Sequence, residues 1–414
     1  MRYVWFNGTL EQSGGGERLS LEVVRCLREL GHDAHLVVYF YDSKATFDSQ
    51  YDYLEPIAMG EDIRRVRNPL SKIIARFRRL LWLRKTILQC KPDCVITSGT
   101  WNQVVDVYLS RLGTSIPYIT HVFGSMFAFT PDKESLKFGR VFQKNFLQVR
   151  NSMKSYQEVV PESAPPMNLL RRLLLNYRAT IKYHAVRASK ALFVLSERNR
   201  WENQMLYGRD SIVLQGAFPA RIFDYRPQRS LKQDLGLKGQ KVILSIGRLA
   251  ANKRVDLAIR AFAEIAHQRA DVCLVIGGTG PEGDRLKVLT QELGLTNQVH
   301  FVGYVPESIL WDYLADCDAF LHLDLADFDI APLEALAMGA NVVWGDEMDL
   351  PDLTRQLTCL WPVAPEPSVI AQTTIKSLEA GNRIMDRSAR RQILEPYNWE
   401  SYTARMTHAI DEAV

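Results

Sequence analysis

Several signals that identify common classes of protein are missing from this chain. No apolar run approaches the ~20 residues that a membrane-spanning helix requires. The opening MRYVWFNGTLEQSGGG does not show the charged, apolar and small-residue order of a signal peptide. The six cysteines show no paired metal-ligand spacing, and several lie in apolar runs such as VCLVI. We therefore expect a cytoplasmic protein with reduced cysteines in its core.

A strong excess of one charge is also missing. The formal net charge is +4 over 414 residues, so nucleic acid binding has no global electrostatic support. The hydrophobic fraction of 47% and the charged fraction of 24% are ordinary for a globular protein. A chain of this length is too long for one ordinary core, and we expect two or three domains.

Apolar strands alternate with helical segments along most of the chain. The first half opens with the strand YVWF, the glycine-rich turn SGGGER and an amphipathic helix, and the pattern restarts at KVILSIG after a break near residue 230. Such alternation predicts an α/β protein with parallel sheets covered on both faces. Ligands of these sheets bind beyond the carboxyl ends of the strands, so two doubly wound units that face each other make a central cleft.

The segment GTGPEG at residues 278–283 matches a dinucleotide-binding fingerprint. That fingerprint belongs on the first strand of its unit, with an acid about 20 residues later. Here KVILSIG is the first strand, and the segment FVGYV around Gly303 contains no acid. We interpret GTGPEG as a tight turn that brings backbone close to a phosphate or nucleoside, and not as an NAD site.

The segment GRLAANK follows a predicted strand of the second half. Gly247 permits close backbone approach, and Arg248 and Lys253 extend from the loop after it. A guanidinium and an ammonium at the carboxyl end of a parallel strand can neutralise a diphosphate. Alternatively, Arg248 and Lys253 are two solvated cations at the end of a strand, which is the usual explanation of an isolated pair.

The segment DLADFDIAPLEALAMG contains carboxylates beside an apolar helix. Pro332 suits a first helical turn, and Asp327 and Asp329 suit the positive end of the helix dipole, so capping accounts for all three residues. Capping accounts less well for Glu334, because its neighbours suggest a helix with little polar face.

The order of these motifs resembles that of the retaining GT-B glycosyltransferases of family 4. The resemblance covers most of the chain, through GGGERLSLEVVRCLRELGHDAHLV, ILSIGRLAANKRVDLAIRAF, LVIGGTGPEGDRL, VHFVGYVPES, the segment around APLEALAMG, and YNWESY. It implies an acceptor-binding Rossmann-like domain over residues 1–225, with a helical insertion near 130–180. A nucleotide-sugar-binding domain over 226–395 follows, and a helix over 396–414 packs back on the first domain.

The resemblance implies an activity and roles for individual residues. A sugar would move from a nucleotide-diphosphate sugar, GDP- or UDP-linked, to a glycan or lipid-linked acceptor, with no cofactor and no metal. Arg248 and Lys253 would hold the diphosphate and stabilise the leaving group, and Glu334 would accept hydrogen bonds from the ribose hydroxyls. His121 matches a position beside the reacting sugar, and a structural histidine is the alternative. The other implied donor contacts are Gly15, Gly16, Gly247, Gly280, Tyr304, Val305, Asp327, Phe328, Asp329, Ile330 and Ala331.

One position departs from the family pattern. The family usually has two glutamates separated by seven residues; the second is Glu334 here, and the first position is Ala326. Asp327 or Asp329 could replace the missing acid, and the identity of the donor sugar stays open. A catalytically silent nucleotide-sugar-binding subunit is therefore an alternative function. A sugar-nucleotide epimerase, which has the same fold, is another alternative.

Two basic amphipathic stretches stand apart from these motifs. No acid occurs between Ile63 and Pro92, where ten basic residues lie among apolar ones, and a second such stretch, NLLRRLLLNYRATIKYHAVRA, begins at Asn168. Basic amphipathic helices can lie on anionic membranes. A packed helix with a basic outer face explains the apolar residues equally well, and we favour it for folding. Peripheral contact with the inner face of a membrane stays open.

Overall fold

A computed structural model of the chain describes residues 1–60, 68–97, 101–123, 133–152, 168–325, 329–347, 356–381 and 385–414. Contacts divide the chain into two compact units. The first unit consists of Met1–Gln215 and Tyr402–Val414, and the second of Gly216–Ser401. The division points therefore lie at residues 215 and 402, where the sequence prediction had 225 and 396.

The first unit is built on a parallel sheet. In spatial order, its strands among the described residues are β3 (Ile57–Ala58), β2 (Asp33–Tyr41), β1 (Arg2–Leu10), β4 (Cys94–Thr97), β5 (Tyr118–His121), β6 (Leu192–Val194) and β7 (Ile212–Val213). Val4, Trp5 and Phe6 of β1 are all fully buried. Successive strand residues point to opposite faces, so this run shows that both faces of the sheet are covered.

Helices connect these strands. They are α1 (Gly15–Glu29), α2 (Pro69–Cys90), α3 (Trp101–Ser110), α4 (Lys133–Phe138), α5 (Gln143–Asn151), α6 (Leu169–Ala188) and α7 (Glu197–Tyr207). The described residues of the predicted insertion near 130–180 contain α4, α5 and the start of α6, and no strand.

The second unit is built on another parallel sheet. In spatial order, its described strands are β10 (Val299–Gly303), β9 (Val272–Gly277), β8 (Lys241–Ile246), β11 (Ala319–His322), β12 (Asn341–Gly345) and β13 (Leu360–Val363). The chain moves outward from β8 to β9 and β10, then returns to β11 on the other side of β8. The order of the strands therefore reverses between β8 and β11.

Helices cover this sheet as well. They are α8 (Leu231–Asp234), α9 (Val255–Gln268), α10 (Gly283–Glu292), α11 (Glu307–Asp316), α12 (Ile330–Met338), α13 (Pro367–Ala380) and α14 (Arg387–Leu394). The core includes Phe262 of α9 together with Ile243, Ile276, Leu321 and Val343 from four adjacent strands. The last helix, α15 (Trp399–Ala413), begins in the second unit, and its residues from Tyr402 onward belong to the first.

The sequence analysis predicts reduced cysteines in the core and no helix long and apolar enough to span a membrane. All six cysteines are free, and five of them are buried, whereas Cys90 is half-buried. Within the described ranges, no helix is both long enough and apolar enough to cross a bilayer.

Candidate functional site

The loops after β8 and β11 meet where the strand order of the second unit reverses. Gly247 and Lys253 follow β8, His322 ends β11 and Asp324 follows it; all four residues line a shallow, open pocket. In doubly wound sheets, ligands bind at this reversal point, outside the carboxyl ends of the strands. The predicted donor site therefore has its cations where the fold favours a ligand.

Two carboxylates hold Lys253 in this pocket. Its Nζ donates a hydrogen bond to Asp324 Oδ2 and lies 3.5 Å from Asp329 Oδ1. Asn252 Nδ2 donates to the other oxygen of Asp324 at 3.2 Å, and His322 Nε2 lies 2.8 Å from Asp329 Oδ2. A ligand diphosphate must therefore compete with Asp324 and Asp329 for the Lys253 ammonium.

These charges control the ionisation of Asp329. Burial raises the pKa of its carboxyl, but the positive charge of Lys253 and the neighbouring His322 outweigh burial and lower the pKa to well below the usual range for aspartate. Asp329 is therefore a carboxylate at neutral pH.

The same side chains form a set that could bind a cation. His322, Asp324 and Asp329 offer one nitrogen and two oxygen ligand atoms within 4.8 Å of one another. The ammonium of Lys253 contacts both carboxylates. A divalent ion at this position would have to displace it, and the absence of a metal from the reaction stays a prediction.

Arg248 differs from Lys253 in its surroundings. Its side chain is exposed in the loop after Gly247, and it forms no ion pair with any residue that the structure describes. Among the described residues, an anion can bind the Arg248 guanidinium without displacing a carboxylate. At Lys253 it would have to displace Asp324 and Asp329.

Glu334 lies in α12 and is almost completely buried, with 1% of its surface exposed. Trp311 Nε1, from α11, donates a hydrogen bond to Glu334 Oε1 at 3.0 Å. The indole ring packs edge-to-face on Tyr225, with 5.2 Å between the ring centroids. This contact fixes the position of the carboxylate, and sequence reasoning missed it because Trp311 and Glu334 are 23 positions apart.

The start of α12 corrects one interpretation. Asp329 is the N-cap residue by position, but its side chain makes no capping hydrogen bond. Its carboxylate contacts Lys253 and His322 instead. A capping hydrogen bond therefore does not explain the Asp329 side chain, and the favourable position of its charge at the helix N-terminus stays a prediction. Ile330 and Ala331 are partly exposed in the first helical turn; Ala326, Asp327 and Phe328 lie outside the described residues.

The GTGPEG turn packs directly on the GRLAANK loop. Leu249 N donates to Thr279 O at 2.9 Å. A Cβ atom on Gly280 would lie 2.3 Å from Leu249 O, and one on Gly278 would lie 1.9 Å from Gly247 O. The glycines allow two backbone segments to touch, which explains the turn without a dinucleotide. Contact of Gly280 with a ligand stays a prediction.

The segment after β10 separates into a buried and an exposed part. Gly303 has a φ of +71°, which favours glycine. Val305 is buried, and its Cγ2 would lie 2.8 Å from a Cβ on Gly277. Tyr304 is 57% exposed. Of the two side chains predicted to lie against a nucleotide base, only that of Tyr304 presents a free ring surface.

In the first unit, the glycine-rich turn carries an acid that sequence reasoning missed. Gly15 and Gly16 begin α1, and the carboxylate of Glu17 folds back so closely that a Cβ on Gly14 would lie 2.6 Å from its Oε2. Burial raises the pKa of Glu17, although a hydrogen bond from Gln12 opposes this shift. An acid in the first turn of a helix is the signal that could have identified it.

His121 is enclosed inside the first unit. It is 1% exposed, its Nε2 is hydrogen-bonded to the hydroxyl of Tyr402, and its ring lies 4.6 Å from that of Phe123 and 6.3 Å from that of Trp5. Burial lowers the pKa of His121 to about 3, so the imidazole is neutral. This is the arrangement of a structural histidine that anchors residues 402–414, and contact with a reacting sugar stays a prediction.

Comparison with known proteins decides the family. The family model described as Glycosyltransferase Family 4 matches residues 13–208, and the model described as Glycosyl transferases group 1 matches residues 227–383. The chain belongs to the family 4 GT-B glycosyltransferases. A solved structure of HepE from Anabaena in complex with UDP superposes with a TM-score of 0.70 at 15% identity, covering all of both chains. The α/β GT-B fold predicted from the sequence is confirmed.

Curated relatives of this family 4 chain match shorter regions. The uncharacterized glycosyltransferase MJ1607 of Methanocaldococcus jannaschii is 27% identical over 177 residues, which is 42% of this chain and 45% of that protein. The alpha-monoglucosyldiacylglycerol synthase of Streptococcus pneumoniae is 30% identical over 117 residues, which is 28% of this chain and 26% of that protein. The chain thus spans less than half the length of these relatives.

Proposed function

We infer that this protein is a retaining glycosyltransferase. It would move a sugar from a nucleotide-diphosphate sugar, UDP- or GDP-linked, to a glycan or lipid-linked acceptor. The observation that carries this proposal is the arrangement at the strand reversal of the second unit. Two cations, Arg248 and Lys253, follow β8. The helix α12, which begins after Asp329, holds the buried carboxylate of Glu334.

Lys253 and Arg248 would bind the diphosphate of the donor. Arg248 is exposed, and Lys253 would exchange Asp324 and Asp329 for phosphate oxygens. Positive charge placed beforehand at the leaving group stabilises a transition state in which negative charge develops there. Because two side chains supply this charge, the proposed reaction uses no metal and no other cofactor.

Glu334 and the start of α12 would bind other parts of the donor. A buried carboxylate held by Trp311 can accept hydrogen bonds from two adjacent hydroxyls, as a ribose offers. The backbone N–H groups at Ile330 and Ala331 are in the first helical turn, where anions bind favourably. The exposed ring of Tyr304 is available to a nucleotide base.

The anomeric configuration would be retained if the diphosphate leaves and the acceptor attacks on the same face of the sugar. The bond from the anomeric carbon to the diphosphate oxygen breaks, the bond to the acceptor oxygen forms, and the acceptor proton moves to the departing phosphate. This route requires no carboxylate at Ala326. Two similar proteins support the substrate classes: HepE was solved with UDP, and the pneumococcal relative is named for a glycosylated diacylglycerol.

Titration calorimetry of the whole protein against UDP-, GDP-, ADP- and TDP-sugars, without added metal, tests the donor. We expect one nucleotide to bind, with affinity reduced at least tenfold in Glu334→Ala and in Lys253→Ala. Lys287→Ala is the matched control, because Lys287 is an exposed lysine of α10. Equal affinity in all three variants would contradict this site.

Release of nucleotide in the presence of acceptor extracts tests the activity. Turnover in EDTA, with the anomeric configuration of the product equal to that of the donor, is the expected result. A second candidate function, a silent nucleotide-sugar-binding subunit, is favoured by Ala326 alone. Donor binding without turnover would support that function instead, and Ala326→Glu would then test whether the missing acid is the cause.

A further inference from the structure

Two helices of the first unit expose large apolar side chains. On α2, their exposed fractions are 44–67%, and the residues are Ile73, Ile74, Phe77, Leu81 and Leu88. On α6, the exposed fractions are 55–75%, and the residues are Leu169, Leu170, Leu173, Leu174 and Tyr177. These ten residues are named the α2–α6 face below. The sequence analysis favoured packed helices with basic outer faces, and for these residues that expectation is wrong.

The exposed residues are not scattered around their helices. At about 100° per residue, the five on α2 fall within a sector of about 100°, and the five on α6 fall within about 140°. Other residues attach the helices to the unit, including Leu83 and Ile87 on α2 and Leu175 and Ala179 on α6, all buried. Each helix therefore has one apolar stripe for the core and another that the described residues leave exposed.

The two exposed stripes belong to neighbouring helices. Both α2 and α6 pack against α3. Arg76 of α2, which pairs with Asp106 of α3 at 3.0 Å, lies close enough to α6 for its charge to add to the effect of burial in lowering the pKa of Lys182 to about 7. Both helices of the α2–α6 face therefore lie beside α3 in the first unit.

The charges carried by these two helices have one sign. Neither helix contains Asp or Glu, and exposed cations accompany both stripes: Lys72, Arg76, Arg78, Lys85, Arg171, Arg172 and Arg178. Large exposed apolar patches mark interaction surfaces. A basic rim beside an apolar stripe fits a partner that is anionic at its surface and apolar below it, as an anionic bilayer is.

We propose that the α2–α6 face docks on an anionic lipid bilayer, with its apolar residues between the headgroups and its cations on lipid phosphates. A second copy of this chain is a poorer occupant, because it would place two basic helices against each other. Docking is independent of the transferase activity. Only its purpose, access to a lipid-linked acceptor, rests on the proposed function.

Co-sedimentation of the whole protein with vesicles tests this surface. We expect binding to vesicles of phosphatidylcholine mixed with phosphatidylglycerol, and little binding to phosphatidylcholine alone. Phe77→Ser combined with Leu170→Ser should lower the bound fraction at least tenfold. Val288→Ser is the matched control, because Val288 is 51% exposed on α10 of the second unit.

Removal of charge gives a second test. Lys72→Gln, Lys85→Gln and Arg172→Gln should each weaken partitioning about fivefold, and high salt should have the same effect. Donor binding should not change in any of these variants, which shows that they are folded. If donor binding fails in the unmodified protein while vesicle binding persists, only the proposed function is wrong.

Two outcomes would overturn the docking proposal. One is equal binding of Phe77→Ser/Leu170→Ser and the unmodified protein to anionic vesicles. The other is a dimer, detected by light scattering, that Phe77→Ser dissociates, together with no binding to anionic vesicles. The α2–α6 face would then be an interface between copies of this chain.

Discussion

Replacing Lys253 with methionine would remove the cation that Asp324 and Asp329 share. Asp324 has 1% of its side chain exposed and Asp329 has 18%, so two carboxylates would remain close together with little water. His322 Nε2 would remain 2.8 Å from Asp329 Oδ2 as a hydrogen-bond partner. We expect Lys253→Met to reduce both the stability of the second unit and the affinity for a nucleotide diphosphate.

The magnitude of the stability loss follows from the distances and the exposure. Opposite charges 3.5 Å apart, the distance from Lys253 Nζ to Asp329 Oδ1, attract by about 4–5 kcal/mol at an effective dielectric constant of about 20. Removing one partner of a buried pair typically costs about 3–5 kcal/mol. Because the Lys253 side chain is 25% exposed, water screens part of this interaction. We expect the free energy of unfolding to fall by about 2–3 kcal/mol.

The loss should depend on pH. The lowered pKa of Asp329 contributes stability that is present above the unfolded pKa of aspartate, about 3.9, and is lost as the pH falls toward the folded value. Lys253→Met removes the positive charge that contributes most to lowering the pKa of Asp329. The difference in stability between the variant and the unmodified protein should therefore be largest near neutral pH and should narrow below about pH 4.

Urea unfolding followed by tryptophan fluorescence measures this difference. Lys287→Met is the control for removal of a lysine. Adding Asp324→Asn to Lys253→Met should recover about half of the lost stability, because one buried charge disappears, but it should recover no donor affinity. A loss below about 0.5 kcal/mol at neutral pH, or full recovery of donor binding in the double variant, would refute this reasoning.

Four other substitutions test separate features of the structure. Trp311→Phe removes the hydrogen bond to Glu334 and should weaken donor binding in calorimetry about fivefold, or about 1 kcal/mol. It should also lower the free energy of unfolding by about 1–3 kcal/mol, because a buried carboxylate loses a partner. Gly280→Ala should lower the free energy of unfolding by more than 2 kcal/mol, because its Cβ would overlap the backbone of the GRLAANK loop. Gly294→Ala should cost about 1 kcal/mol, because that site is open and only its positive φ opposes a side chain. The stability that neutral His121 contributes is complete above an unfolded pKa of about 6.5 and is lost as the pH falls toward about 3, so His121→Asn should flatten the pH profile of unfolding by up to about 1.4 kcal/mol per pH unit.

Most of the fold followed from the order of residues along the chain. Strands such as KVILSIG and VCLVIGG are apolar because both faces of a parallel sheet are buried, and this pattern is local. The positions of Gly247, Arg248 and Lys253 at the end of β8 were predictable for the same reason, since a loop after a parallel strand lies at the edge where ligands bind. The glycines of GTGPEG indicated a tight turn, but the backbone that they approach was not predictable.

The contacts between distant residues were decided by the tertiary structure. Lys253 meets Asp324 only because β11 returns to pair with β8, 71 positions later in the chain. His121 meets Tyr402 across 281 positions, and a strand-end histidine carries the same sequence pattern whether its ring is buried or faces a ligand.

The exposure of α2 and α6 shows the same limit. Helical periodicity identifies apolar stripes such as Ile73, Phe77 and Leu81, but it does not say whether a stripe faces a core or water. That outcome depends on which surfaces the rest of the chain covers. The sequence by itself therefore determined the elements and the chemical groups of this protein, and the packing of those elements decided which of the groups meet and which remain exposed.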